Sequence, residues 1–279
     1  MQESIRQFDN YIKESGVSDN TRQAYIRDVR QLKSFLEEHG HMILADVGEA
    51  ELTEYIEMLH GSGKSAATIS RSIASVRKFF SFTCVKGYTF SDPSADLKAP
   101  KVIRKSPSVI SDREIRKLIS VPDITTVKGI RDRAMLELIT STGIGATELT
   151  ELRVEDVDLA ALTVTVGSSR RSISVSKRSA EAMKSYMKVR KKLIGDAEND
   201  CGIFFLSCAG EKLTRQGFWK IVRTNGKKAG ISEITPQILR HSFAVSALRH
   251  GKDAASLQRI LGHSSKAGTM EYQSMATSG

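Results

Sequence analysis

The sequence predicts a mainly α-helical protein with a small antiparallel β-sheet, in which an N-terminal helical domain precedes a larger C-terminal domain. Three observations carry this. Apolar residues recur at helical spacing through most of the 279 residues. One stretch, Leu162 to Val175, instead alternates with period two. Three of the five prolines fall between Ser91 and Pro107, a density that breaks helices and marks a linker. The division read from these features is 1–98, a linker at 99–108, and 109–279.

The first region is helical by period. Between Asn20 and Gly40, the residues Tyr25, Val29, Leu32 and Leu36 fall at i, i+4, i+7 and i+11, a single stripe closed by a glycine suited to follow a helix. Leu52, Ile56 and Leu59 share one face before Gly61, and from Ser65 the stripe of Ile69, Ile73, Val76 and Phe80 repeats the first. Three or four such helices close a small bundle. Lys64, Arg71 and Lys78 recur every seven residues, roughly opposite the last stripe. That face reads equally as a solvated surface or as a row of phosphate contacts. The linker is basic through Lys98, Lys101, Arg104 and Lys105.

The second region opens on Ser111-Asp112-Arg113-Glu114, a capping box in which two side chains satisfy orphan backbone donors at a helix start. A helical run from about Ile130, containing Met135 and Leu138, leads into Thr142-Gly-Ile-Gly-Ala-Thr-Glu-Leu149. Leu162, Val164 and Val166, then Ile173 and Val175, alternate with Thr and Ser on either side of Gly167 to Arg171, the pattern of a β-hairpin. Helices are predicted at about 178–193 and 214–229, separated by the short apolar piece Ile203 to Leu206. Thr235 is an N-cap with Pro236 in the first helical position, where a missing N–H costs nothing. After Gly251, Asp253 caps a further helix through Leu261, which Gly262 ends, with His263 just beyond. Two helix ends and a C-terminal tail thus bring Arg240, His263 and Tyr272 toward one point. A guanidinium, an imidazole and a phenol are equipment for attacking a phosphodiester.

Composition narrows the class. Hydrophobic residues make up 40% of the chain, enough to bury real cores. No apolar run approaches the ~20 residues needed to cross a bilayer. The N-terminus, with Glu3, Asp9 and Glu14, has neither the signal-peptide nor the transit-peptide pattern, so a cytoplasmic location is expected. Cys84, Cys201 and Cys208 are odd in number and lack zinc-ligand spacing, which suits reduced thiols. The net charge of +10 is unevenly spread: residues 1–98 hold 12 Lys and Arg against 14 Asp and Glu, and the remainder 30 against 18, giving −2 and +12. A field of that sign favours a polyanion, with double-stranded DNA as the natural candidate and a solubilising surface as the bland alternative.

The spacing from Arg240 through Leu261-Gly262-His263 to Tyr272 resembles the C-terminal signature of tyrosine recombinases of the Xer or phage-integrase type, and the likeness runs from end to end of the chain. It implies an N-terminal SAM-like, core-binding domain that clamps DNA and a C-terminal catalytic domain. It further implies that Tyr272 is the nucleophile, that Arg240 and His263 hold the phosphate, and that the product is a 3′-phosphotyrosyl link. With arginines doing the electrostatic work, neither metal nor cofactor is called for. Lys64, Arg71, Lys78, Lys101, Arg170 and Arg171 are the implied DNA contacts.

Three positions depart from the family pattern. Thr142 to Leu149 resembles the family motif Thr-Gly-(Leu/Ile/Met)-Arg-x-(Ser/Thr)-Glu-Leu, but Gly145 stands where that motif has its arginine. Gln237 stands where the family's His-x-x-Arg signature ending at Arg240 has its histidine, and a shorter hairpin offers Arg170 and Arg171 in place of a lysine. Arginine keeps its proton to a pKa above ~12, so it binds phosphate well but is a poor acid toward a leaving oxygen. Removing one preorganised donor typically costs ~10²–10³ in rate. Only Gln273 to Gly279 follow the tyrosine, a stretch read as too short and too polar to form a helix. An oligomer on DNA, homo- or hetero-, would then need another joint. The expectation is a DNA-binding member of this family with impaired catalysis. An active recombinase and a helix-turn-helix transcription regulator built on Pro236 to His263 are the alternatives.

Overall fold

The computed structural model describes residues 1–102, 106–194, 200–263 and 267–277. The chain forms two compact units, Met1–Lys105 and Ser106–Gly279. Among the described residues no helix is long and apolar enough to cross a membrane.

In the first unit, four helices close around one core: α1 (Gln2–Glu14), α2 (Asp19–Glu38), α3 (Glu49–Gly61) and α4 (Ala66–Val85). Ser18 and Ser65 cap α2 and α4, their hydroxyls accepting from Thr21 N and Thr68 N at 3.2 Å. The predicted stripes face inward: Val29, Leu32 and Leu36 on α2 and Ile69, Ile73, Val76 and Phe80 on α4 are buried. The α1 helix is an addition to the sequence reading. It inserts Ile5, Phe8 and Ile12 into this core, where the Phe8 ring meets Phe79 edge-on at 5.2 Å.

The second unit begins with α5 (Asp112–Ser120), whose Ser111–Glu114 capping box forms as the sequence requires. The central helix α6 (Val127–Thr142) packs along α8 (Lys177–Ile194) and is buried nearly all round. Between them come the single-turn α7 (Ala146–Glu151) and an antiparallel sheet in the order β1 (Val157–Asp158), β2 (Thr163–Val166), β3 (Arg171–Ser174). The β2–β3 register pairs Val164 with Ile173, so both apolar side chains enter the core. Arg190 on α8 clasps Asp200 through two bonds of 2.7 Å and donates to the carbonyls of Ile203 and Phe204, anchoring the apolar piece after it. The unit closes with α9 (Arg215–Lys228), α10 (Pro236–Arg249), α11 (Ala254–Leu261) and α12 (Ala267–Thr277).

The last of these corrects the sequence reading of the tail. Residues 273–277 need no helix nucleus of their own, because they extend a helix already begun at Ala267. That helix packs against α10, with Tyr272 in a satellite core beside Ala244, Val245, Leu257 and Leu261. Arg104 and Lys105 of the predicted linker lie outside the described residues.

Candidate active site

The site is built where α6 stops. Gly143 closes that helix in the left-handed conformation (φ +65°). A Cβ there would lie 2.4 Å from Phe243 Cδ1 and 2.9 Å from Leu261 Cδ2, so only glycine lets α6 end this close to α10 and α11. Its carbonyl accepts from Arg240 Nη1 at 3.0 Å, and Leu261 O accepts from Arg240 Nη2 at 2.6 Å. Arg240 is thereby stretched between the ends of α6 and α11. Burial lowers its pKa, while Glu148 and Tyr272 oppose that shift. It nonetheless remains a cation.

Two residues on, Gly145 caps α7 and donates its N–H to Glu148 Oε2 at 2.9 Å. Glu148 also receives a two-pronged bond from Arg171, Nη1 to Oε1 at 2.6 Å and Nη2 to Oε2 at 2.7 Å, the planar fork that only arginine offers. Burial pushes the Glu148 carboxyl up, but the Arg171 hydrogen bonds and the Gly145 N–H together hold it below its ordinary value. Arg171 Nε donates to Ile260 O at 3.0 Å, tying β3 to the end of α11. The two hairpin arginines therefore part company. Arg170 is exposed and pairs with Asp156 at 2.7 Å, away from this cluster.

His263 follows the left-handed Gly262 that ends α11. Its Nδ1 lies 3.2 Å from Thr269 Oγ1, and its ring stacks on Tyr272 with centroids 6.2 Å apart. A second imidazole, His241, stands near the same phenol with its centroid 5.5 Å away and its plane tilted. Tyr272 is only 4% exposed. Burial raises its pKa, and the Arg240 charge partly offsets this. Burial lowers the pKa of His263, and the charges of Arg240 and Arg171 add to the effect, so the ring is largely neutral at pH 7.

Gln237 is exposed, one turn before His241, and its Nε2 lies 2.6 Å from His241 Nε2. With Arg240 it lines a cleft of about 280 Å³ whose other walls include Ala146, Arg215 and Trp219. Arg171 and His263 line a broader, shallower cleft together with Lys252 and Arg259.

Of the residues singled out from sequence, Arg240, His263, Tyr272, Arg171 and Gly145 meet here, with Gln237 at the rim. Lys64, Arg71, Lys78 and Lys101 belong to the first unit. Lys64 precedes the Ser65 cap, so only two members of the seven-residue row lie on α4. Arg71 is half-buried against Asp28 at 2.6 Å, Lys78 Nζ stands 5.4 Å from the Tyr11 ring centroid, and Lys101 is exposed. Sequence reasoning missed His241, Thr269 and Arg215. The i, i+4 spacing from Gln237 would have found His241. Nothing local marks the other two.

Known proteins resemble this chain over both units. The profile of the phage integrase family matches residues 108–278, and that of the phage integrase N-terminal SAM-like domain matches residues 5–87. A tyrosine recombinase XerD of Staphylococcus epidermidis is 35% identical over 98% of this chain and 94% of its own. One from Staphylococcus aureus is 33% identical over 100% and 96%. Among solved structures, the Tn1549 transposon integrase in complex with circular intermediate DNA superposes with a TM-score of 0.75 at 19% identity, covering 96% of this chain and 94% of that one. XerH bound to palindromic difH gives 0.72 at 17%, covering 99% and 92%.

Proposed function

Because this chain belongs to the phage integrase family of tyrosine recombinases, we propose that it recombines double-stranded DNA in the cytoplasm through Tyr272, at a rate held down by an incomplete set of donors. The supporting observation is convergence. Residues from five separate elements or their ends, Gly143, Glu148, Arg171, Arg240 and Leu261, interlock beside a tyrosine close to two imidazoles.

In this reading Tyr272 Oη attacks a phosphorus, the bond from phosphorus to the 5′ oxygen breaks, and a 3′-phosphotyrosyl link forms. The phenol proton passes to a base, and the departing oxygen takes one from an acid. Arg240 opposes the charge that builds on the non-bridging oxygens, where preorganised donors act most strongly. His263, mostly neutral, donates or accepts at the same phosphate. The weak point is the acid. The hairpin supplies arginine, which holds its proton too tightly, and Gln237 has no proton to exchange. Rejoining to another strand calls for more than one copy on DNA, in a homo- or hetero-oligomer. The DNA complexes among the structural neighbours support DNA as the substrate.

A second reading, a DNA-binding member that no longer cleaves, is favoured by Gly145 and Gln237. Suicide duplexes selected by binding and nicked near the scissile phosphate separate the two. A covalent adduct that disappears in Tyr272→Phe supports cleavage. Tight, salt-sensitive binding without adduct supports the second reading.

A further inference from the structure

The hairpin arginines look at first like substitutes for a lysine, but Arg171 is placed for a different task. Its guanidinium sits in a slot bounded by glycines. A Cβ at Gly167 would come within 2.8 Å of Arg171 Nη1, and a Cβ at Gly262 within 2.8 Å of both Cζ and Nη1. Both glycines have positive φ (+73° and +68°), so the slot is doubly closed to larger residues. A side chain grown from Gly145 would start 3.1 Å from Glu148 Oε2 and 3.5 Å from Arg240 Nη1. Glu148 is the carboxylate that Arg171 grips with both amino nitrogens. Position 145 and Arg171 therefore approach one carboxylate from two directions, and Arg240 and Arg171 share the carbonyl of Leu261, at 2.6 and 3.5 Å.

We propose that Arg171, reaching in from β3, is the second phosphate-holding arginine of the site and supplies the guanidinium that Gly145 cannot. This rests on the recombinase reading above. Gly145 is then more than a loss. With no side chain at 145, the Glu148 carboxylate is left to a guanidinium arriving from the sheet. Donor arithmetic leaves the group able to act. Arginine has five N–H bonds, and Arg171 commits Nε to Ile260 O, Nη1 to Glu148 and Nη2 to Glu148 and, at longer range, Leu261 O. A second Nη1 proton remains for a non-bridging oxygen. Glu148 fixes the plane of the fork before DNA arrives, so little side-chain freedom is lost on binding.

The first test does not depend on cleavage. In a Tyr272→Phe background, affinity is measured for a binding-selected duplex in which each central phosphate is replaced in turn by a neutral methylphosphonate. Arg171→Ala should weaken binding of the all-phosphate duplex but lose that effect when one particular phosphate is neutralised. An equal loss on every duplex means that Arg171 serves only Glu148 and the fold, and overturns the proposal.

The second test reads adduct formation in single turnover. Arg171→Ala should slow it by ~10²–10³, Arg171→Lys should restore it only in part, and Arg171→Ala with Gly145→Arg should recover most of the rate. An active parent protein unaffected by Arg171→Ala overturns the inference and leaves the recombinase reading standing. A parent protein that forms no adduct, yet shows the single-phosphate effect, supports the inference and sinks the cleavage reading.

Discussion

Arg240 is held by backbone rather than by a carboxylate. Gly143 O and Leu261 O accept its protons at 3.0 and 2.6 Å, while the nearest Glu148 oxygen stands 3.9 Å away. Carbonyls orient a guanidinium without cancelling its charge, so the cation stays available to an incoming phosphate. The same uncancelled charge acts on its neighbours. His263 and His241 both lie below their ordinary value of 6.5, each chiefly through burial. Below about pH 6.5 the unfolded chain takes up protons that these folded rings resist, so stability is full above that pH and declines as pH falls toward the folded values. Replacing His263→Gln removes one of those sites. Its melting temperature should fall less between pH 7 and 5 than that of the parent protein, as measured by calorimetry. An equal or steeper fall would show that His263 is not protonated more readily in the unfolded chain.

Among the elements, the end of α6 carries the most consequence per residue. Gly143→Ala must adopt left-handed backbone and push against Phe243 and Leu261, at a combined cost of about 2–4 kcal/mol. Urea unfolding should show a lower midpoint with an unchanged slope. Adduct formation should suffer as well, because the displaced carbonyl is an Arg240 acceptor. The elements legible in the sequence were those with local signals: the caps at Ser111, Thr235 and Asp253, the stripes of α2 and α4, and the period-two alternation of β2 and β3. Three helices escaped, the short α7 among them. The sequence reading did not assign α1, whose buried apolar residues are Ile5, Phe8 and Ile12. The α12 helix is held by packing against α10, which no reading of 273–279 in isolation reveals. At the site, Arg240, His263 and Tyr272 were legible because spacing along the chain records them. The destination of Arg171 was not, since its partners Glu148 and Ile260 lie 23 and 89 residues away.

At the scale of the whole molecule, the +12 charge of the part beyond residue 98 and the −2 of the part before it describe a protein whose attraction to a polyanion is concentrated in the part of the chain that carries the candidate site. The hydrogen bonds that assemble the site are also among the longest-range in sequence: Arg171 to Ile260 spans 89 residues and Arg240 to Gly143 spans 97. Contacts of such separation require large loops to close before they are rewarded, so they form late. The cluster should therefore be absent from the folding transition state, acting as a latch set after the bundle beneath it has formed. In stopped-flow experiments, Arg171→Ala should hasten unfolding and leave the refolding rate unchanged, whereas a slowed refolding limb would place the latch in the nucleus. A nascent or damaged chain would then acquire its capacity to engage DNA chemically only as its last step of maturation.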